Sequence, residues 1–245
     1  ALVGREPERG ASETGHRAGE DQPMFGLSDL RHVFANRSNV LLFLQGIPGS
    51  IPWGLLPFWL ITFLRELRGF EMAEATSVWE IFGIMTVVGS LLWATAGDWL
   101  FRRRPAWLAA LCATVILAGM LPLYLLLNID WRDTTTYLAL AITGGLMISV
   151  ASANVRAMLM NVNLPHHRGS VFALYNFADN IGKGTGPALG GLLLAVSGDY
   201  LLMVNLAISC WVLCALIFAG VAFTIERDRQ AMLDALNANE GAKSR

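Results

Sequence analysis

Six apolar stretches, each close to the about 20 residues that an α-helix needs to cross a membrane, constrain the fold of this chain more than any other feature. They cover residues 40–64, 75–96, 106–127, 136–160, 170–196 and 200–225. Apolar residues are continuous within each stretch and do not alternate with polar ones, which favours helices over the strands of a membrane barrel. The sequence therefore predicts an all-α integral membrane protein with six transmembrane helices.

The composition agrees with a membrane protein and excludes several other classes. Of the 245 residues, 54% are hydrophobic and only 15% are charged, which is too apolar for a soluble domain of this length. A net charge of -1 without a basic, aromatic-rich patch excludes a nucleic-acid surface. The cysteines lie in apolar stretches and the histidines lack ligand spacing, so no metal site and no cofactor are expected. The motifs HExxH and GxSxG are absent, and we expect no enzymatic activity.

The polar segments at the two ends predict the domain boundaries and the orientation in the membrane. Residues 1–36 are expected to form a cytoplasmic linker that ends in a short amphipathic helix, residues 37–225 the six-helix domain, and residues 226–245 a cytoplasmic tail. When both termini are placed on one side, most lysines and arginines outside the stretches fall on that side. The positive-inside rule makes this side cytoplasmic. We predict a multi-pass protein of the plasma or inner membrane with both termini in the cytoplasm.

The fifth apolar stretch carries charged residues at membrane depth. Its segment YNFADNIGKGTGPALGG, residues 175–191, places Asn176, Asp179, Asn180 and Lys183 on one helical stripe. Asp179 is expected about 15 Å from the cytoplasmic end of this helix, near the bilayer centre. Because a charge at that depth costs at least about 2.5 kcal/mol, the stripe must face a partner helix or an aqueous cavity. Either an Asp179–Lys183 pair only holds the bundle together, or the stripe lines a path for a solute or a proton.

Glycines in the same segment recur at every fourth position. Gly182, Gly186 and Gly190 form the small-xxx-small pattern that lets two helix backbones approach closely. Pro187 beside them removes one backbone hydrogen bond and favours a kink. The segment therefore predicts a close helix contact, which is either static packing or a contact that moves.

The first apolar stretch contains QGIPGSIPWG, residues 45–54, and is rich in helix-breaking residues. Pro48, Pro52 and Pro57 fall in one membrane crossing, which predicts either a broken helix beside a transport site or a merely bent structural helix. We take Gln45 in this stretch and Asn154 in the fourth as further candidates for a solute or ion pathway. Glu80 in the second stretch is a proton carrier or an interface residue.

The loop GDWLFRRRP, residues 97–105, follows the second apolar stretch. Its basic residues Arg102, Arg103 and Arg104 are by themselves a topology signal at the cytoplasmic boundary. Arg156, near the cytoplasmic end of the fourth stretch, has two interpretations. It pairs with Asp98, because a buried guanidinium requires a carboxylate, or it binds the substrate.

The same loop resembles the cytoplasmic signature of the major facilitator superfamily, a Gly, an Asp and basic residues between the second and third helices of a six-helix half. The resemblance implies that Gly97, Asp98, Arg102, Arg103, Arg104 and Arg156 form a cytoplasmic gate. Trp99 and Phe101 depart from the family pattern. Residues 163–191 are similar to the turn between the fourth and fifth helices, and residues 5–13 to the segment after the sixth helix of an N-terminal half. The implied fold is two inverted three-helix repeats that form one half of a major facilitator protein.

The resemblance implies a secondary active transporter that works by alternating access and is coupled to an ion such as a proton. The QGIPGSIPWG segment is similar to the spinster-like branch, which implies a small organic, amphiphilic or lipid-like substrate. The expected partners are the lipid bilayer and a missing N-terminal six-helix half of the same chain. The alternative is a stand-alone six-helix membrane protein that binds a ligand or regulates another protein.

Overall fold

A computed structural model describes residues 27–243 except residue 132. Its helices are α1 (Leu27–Ala35), α2 (Arg37–Arg68), α3 (Met72–Arg103), α4 (Pro105–Asn128), α5 (Thr134–Ile148), α6 (Val150–Asn161), α7 (Arg168–Ser197) and α8 (Tyr200–Lys243). A short 3-10 turn, Pro165–His167, precedes α7. No strand occurs within the described ranges, so the predicted all-α fold class is confirmed. Residues 1–26 of the expected linker and residues 244–245 of the expected tail lie outside the described residues.

Five helical stretches are long and apolar enough to cross a membrane: α2, α3, α4, the combined stretch Thr134–Asn161 of α5 and α6, and α8. The remaining long helix, α7, has 30 residues and is long enough. It carries the polar stripe and the glycines, which make it less apolar than the other five. Its own hydropathy does not mark it as a span. Asn176, Asn180 and Lys183 of the stripe are exposed in the described structure, so a sixth span here remains a prediction that requires another partner to cover them.

The helices form two groups of three spans, α2–α4 and α5–α8, in which α5 and α6 together make one span. Exchanging the two groups leaves the pattern of helix contacts unchanged. The first span of each group packs against the second span of the other, as α2 with α7 and α5 with α3. The first span of each group also packs against the third of the other, as α2 with α8 and α5 with α4. The two third spans, α4 and α8, pack against each other. This exchange pattern is the one that inverted three-helix repeats produce.

Polar side chains join α4 and α8 at both ends. At one end the amides of Asn128 and Asn205 each donate to the other, at 2.8 and 2.9 Å. At the opposite end Arg104, which precedes α4, donates to the Glu226 carboxylate of α8 at 2.6 Å. Between these ends the helices bury apolar side chains, including Leu108, Ile116 and Phe218. The polar pairs therefore fix the register of a contact that is otherwise apolar and non-directional.

The prolines of the first span predicted either a broken or a bent helix, and the structure excludes the broken one. The first span is a continuous helix, α2, that runs through all three prolines. The interruption lies in the fourth span, at Ser149 between α5 and α6. There the carbonyl of Leu146 accepts the Trp93 indole N–H at 2.7 Å and the Ser149 hydroxyl at 2.9 Å. Side chains that bond to a helix carbonyl compete with the backbone ladder, which is a recognised cause of helix bending.

Candidate functional site

A cavity of about 460 Å³ lies near the middle of the spans, between α2, α3, α6, α7 and α8. Its aromatic wall includes Trp53 and Trp211, whose rings meet edge to face with centroids 5.8 Å apart. Its polar lining residues are Gln45, Ser50, Thr86, Ser90, Ser149, Ser152, Arg156, Tyr175, Asp179, Lys183 and Cys214. An apolar pocket with a few convergent polar groups is the usual form of a small-molecule site.

Asp179 uses both of its carboxylate oxygens in this cavity. The Ser50 hydroxyl donates to Oδ1, and Lys183 Nζ donates to Oδ2 at 2.6 Å. The side chain of Asp179 is 20% exposed and that of Lys183 is 48% exposed. Since Ser50 belongs to α2, the carboxylate links α2 to α7 as well as pairing within α7. An ionised carboxylate has no proton to donate and accepts at both oxygens, which suits the hydroxyl and the ammonium that Asp179 meets here.

Gln45 is buried at the cavity wall, with 2% of its surface exposed. Its Oε1 accepts a hydrogen bond from the Cys214 thiol at 3.2 Å. Its Nε2 has no hydrogen-bond partner among the described residues. The cavity therefore contains a donor that the protein itself does not satisfy.

Arg156 lines the cavity, and the predicted Arg156–Asp98 pair is wrong. Asp98 pairs instead with Arg102 one turn along α3, at 2.8 Å, and both side chains are largely exposed. Within the described part of the chain, Arg156 forms no ion pair. Asp98 can pair with Arg102 without any tertiary contact, because residues i and i+4 lie next to each other on one helix. Arg156 therefore faces the cavity together with Asp179 and Lys183.

Two other predicted pathway residues do not line the cavity. Asn154 is buried and donates to the carbonyls of Trp93 and Val150, at 3.1 and 2.8 Å. A Cβ on Gly97 would lie 2.1 Å from Asn154 Oδ1, so Gly97 allows α3 to approach α6 there. Asn180 is exposed on α7 and lies outside the cavity lining.

Glycines bring α2 and α7 into close contact beside the cavity. A Cβ on Gly182 would lie 2.3 Å from Ile47 O, and one on Gly186 2.6 Å from Ile51 O. A Cβ on Gly54 of α2 would likewise lie 2.1 Å from the Lys183 carbonyl oxygen. Pro187, four residues after Lys183, has no N–H to donate to that carbonyl. Further along α7, a Cβ on Gly190 would lie 2.8 Å from Nε1 of the Trp59 ring of α2.

The loop at the end of α3 is held by arginine contacts. The Arg103 guanidinium lies over the Trp99 ring at 4.1 Å from its centroid, and Arg229 of α8 lies over Phe101 at 5.3 Å. Arg104 pairs with Glu226. The contacts of Arg229 and Glu226 join this segment to α8, whereas the Arg103–Trp99 contact lies within α3. Both cation–π contacts use an aromatic residue that departs from the family signature.

Comparison with known proteins supports the resemblance. The chain is 31% identical to protein spinster homolog 3 of Homo sapiens over 212 residues, which cover 80% of this chain and 41% of the relative. It is 29% identical to protein spinster homolog 3 of Mus musculus over 209 residues, which cover 80% of this chain and 40% of that relative. Spinster homologs are major facilitator proteins, so the resemblance to that superfamily is confirmed. No protein-family model matches it.

The chain spans about 40% of the length of the spinster relatives that it matches. That share corresponds to one half of a fold built from two six-helix halves, which agrees with the symmetric packing of α2–α4 against α5–α8. One face of α7 packs against α2 through the glycines. The opposite face is exposed and carries Asn176, Phe177 and Asn180.

Several cavity residues escaped the sequence analysis. Ser50, Trp53, Ser149, Tyr175 and Cys214 line the cavity but carry no charge that would mark them within an apolar stretch. Their spacing offered a partial signal. Ser50 and Trp53 follow Gln45 on the proline-rich segment, and Tyr175 precedes Asp179 by one helical turn.

Proposed function

We propose that this chain is one half of a secondary active transporter that carries a small organic or amphiphilic solute by alternating access, driven by protons. The observation that supports the proposal best is the Asp179 carboxylate, which lies at the cavity and contacts Ser50 of α2 and Lys183 of α7. An ionisable residue at membrane depth in a cavity is a functional candidate by default.

Protonation of Asp179 changes the contacts between α2 and α7. The ionised carboxylate accepts from the Ser50 hydroxyl and from the Lys183 ammonium. A neutral carboxyl loses the charge attraction to Lys183 and gains a donor of its own. Lys183 is then free to bind solute or water, and the contact across the glycine face weakens. A proton thus biases the two helices toward a different arrangement.

The cavity suits an amphiphilic solute because it combines aromatic and charged walls. Trp53 and Trp211 offer apolar surface, while Arg156 carries a positive charge that no described carboxylate pairs with. A lipid-like substrate agrees with the spinster resemblance. The second half of the transporter would close the exposed face of α7 and complete the site.

Asp179→Asn tests the proton-carrier role directly. In proteoliposomes of the full-length protein, uptake of a fluorescent lysolipid is measured with and without an inward proton gradient. The variant should lose gradient-driven uptake and retain exchange of solute across the membrane, because an amide keeps the shape and loses the ionisation. Glu80→Gln is the matched control, since Glu80 is an exposed carboxylate of α3 outside the cavity lining.

Gradient-driven uptake that survives in Asp179→Asn would exclude Asp179 as the carrier. Loss of uptake in Glu80→Gln but not in Asp179→Asn would move the role to α3. The requirement for a second half is tested by reading the gene upstream of the codon for Ala1. Further apolar spans with another Gly-Asp-basic loop are expected there, and a start codon preceded closely by a stop would favour the stand-alone alternative.

A further inference from the structure

Gln45 and Tyr175 are neighbouring hydrogen-bonding residues in the cavity wall. The Gln45 amide is 2% exposed, and its Nε2 has no hydrogen-bond partner within the described residues. The Tyr175 hydroxyl lies beside this amide, and both side chains line the cavity. Burying an amide N–H without an acceptor is costly. A donor in this position is therefore suited to an acceptor that comes from outside the protein.

Cys214 holds one end of the Gln45 amide in the cavity wall. Its thiol donates to Gln45 Oε1 at 3.2 Å, and a thiol has only one proton to give. The Gly49 carbonyl, one turn along α2, is occupied by the Trp211 indole N–H at 3.0 Å. Oε1 is thus held by a neighbour on α8, while Nε2 is left without an acceptor.

The charged residues of the cavity do not compete for this position. Asp179 directs one oxygen to Ser50 and the other to Lys183. Lys183 and Arg156 are donors and cannot accept from the amide. None of these charged groups therefore bonds to Gln45 or Tyr175, which line the same cavity.

We propose that Cys214 is a positioning residue that orients Gln45 so that its amide N–H, together with the Tyr175 hydroxyl, binds an acceptor oxygen of the transported solute. The inference rests on the proposed transport function. Carbonyl, carboxylate and phosphoryl oxygens share the required chemistry. An ammonium group does not, because it has only protons to offer to two donors.

Infrared spectroscopy tests the positioning contact without any solute. A hydrogen-bonded thiol stretches at a lower frequency than a free one, and the Cys214 band is isolated by subtracting the spectrum of Cys214→Ala from that of the full-length protein in detergent. In Gln45→Leu this band should move to higher frequency. An unchanged band would overturn the proposed hydrogen bond.

Binding tests the recognition step with three probes that share one alkyl chain. Quenching of tryptophan fluorescence is titrated with dodecanoate, methyl dodecanoate and dodecylammonium. Gln45→Leu and Tyr175→Phe should each raise the Kd of the two acceptor-headed probes by about 3- to 10-fold, the effect of one lost hydrogen bond. The Kd of dodecylammonium should not change. A rise for dodecanoate alone would overturn the proposal, because charge and not the amide donor would then recognise the probe.

Cysteine variants separate positioning from packing. Cys214→Ala should weaken the acceptor-headed probes, and Cys214→Ser should restore them because a hydroxyl donates to the same oxygen. If Cys214→Ala does not fold, Cys214→Ser and Gln45→Leu still give the comparison. Cys210→Ala is the matched control, since Cys210 bonds only to Leu206 O within its own helix. A serine variant that binds as weakly as Gln45→Leu would contradict the role of Cys214.

The outcomes distinguish this inference from the transport proposal. Probe binding that depends on Gln45, in a protein that moves no solute in proteoliposomes, would retain the binding site and overturn transport. Transport that proceeds with probe binding independent of Gln45 would retain the transporter and overturn the site.

Discussion

Gly182→Ala places a methyl group where the backbones of α2 and α7 are closest. The added Cβ would lie 2.3 Å from Ile47 O and 2.9 Å from Ser50 Cβ, whereas ordinary contact begins at 3.4 Å. Both neighbours belong to a packed helix, so the helices must separate by about 1 Å. Overpacking of this kind costs about 1 to 3 kcal/mol. For a chain of this size the thermal midpoint should fall by roughly 2 to 12 °C.

Gly184→Ala is the control for this substitution. Gly184 lies in the same helix, and a Cβ there meets nothing within 4 Å. Alanine is the better helix former by about 0.8 kcal/mol, so the midpoint should stay the same or rise. Both variants and the unmodified protein are heated in detergent while circular dichroism follows the loss of helix. Equal midpoints for Gly182→Ala and Gly184→Ala would refute the close contact of α2 with α7.

Three further predictions concern Asp98 and Arg156 and the polar pairs at the ends of α4 and α8. Reversing the charges of Asp98 and Arg156 together should not restore the uptake lost in either single reversal, because these residues are not paired; recovery of uptake would contradict this. Reversing Arg104 and Glu226 together should recover part of the thermal midpoint lost in each single reversal, more at low salt than at high salt, and no recovery would contradict the pair. Asn128→Leu leaves the Asn205 amide without its reciprocal partner and should destabilise the protein by about 1 to 3 kcal/mol, as checked by the same heating assay with Asn161→Leu for comparison.

The sequence predicted the class of fold because hydrophobic length is a local property. A run of about 20 apolar residues crosses the hydrocarbon core as a helix whatever its neighbours are. The charged and glycine positions of α7 were equally visible, because an aspartate or a Gly-xxx-Gly pattern in an apolar stretch has a high cost or a specific use in lipid. The sequence therefore predicted that Asp179 and Lys183 face a partner helix or a cavity, and both line the cavity.

The helix break illustrates what local reasoning missed. Prolines in α2 suggested a broken first span, yet the helix is continuous. The interruption at Ser149 depends on the Trp93 indole, which comes from another helix and bonds to Leu146 O. A proline is visible in the sequence, but a carbonyl that a distant side chain occupies is not.

Partner choice among the charged residues was also decided by tertiary structure. The sequence left Arg156 either paired with Asp98 or free to bind substrate. In the structure Asn154 lies at Gly97 where α3 meets α6, and Arg156 lines the cavity. Cys214 and Gln45 are 169 residues apart, and no spacing rule relates them. The sequence alone determined which segments cross the membrane and which residues are costly there. The tertiary structure determined which residues meet, because hydrogen bonds and ion pairs act only over the few ångströms that helix packing sets.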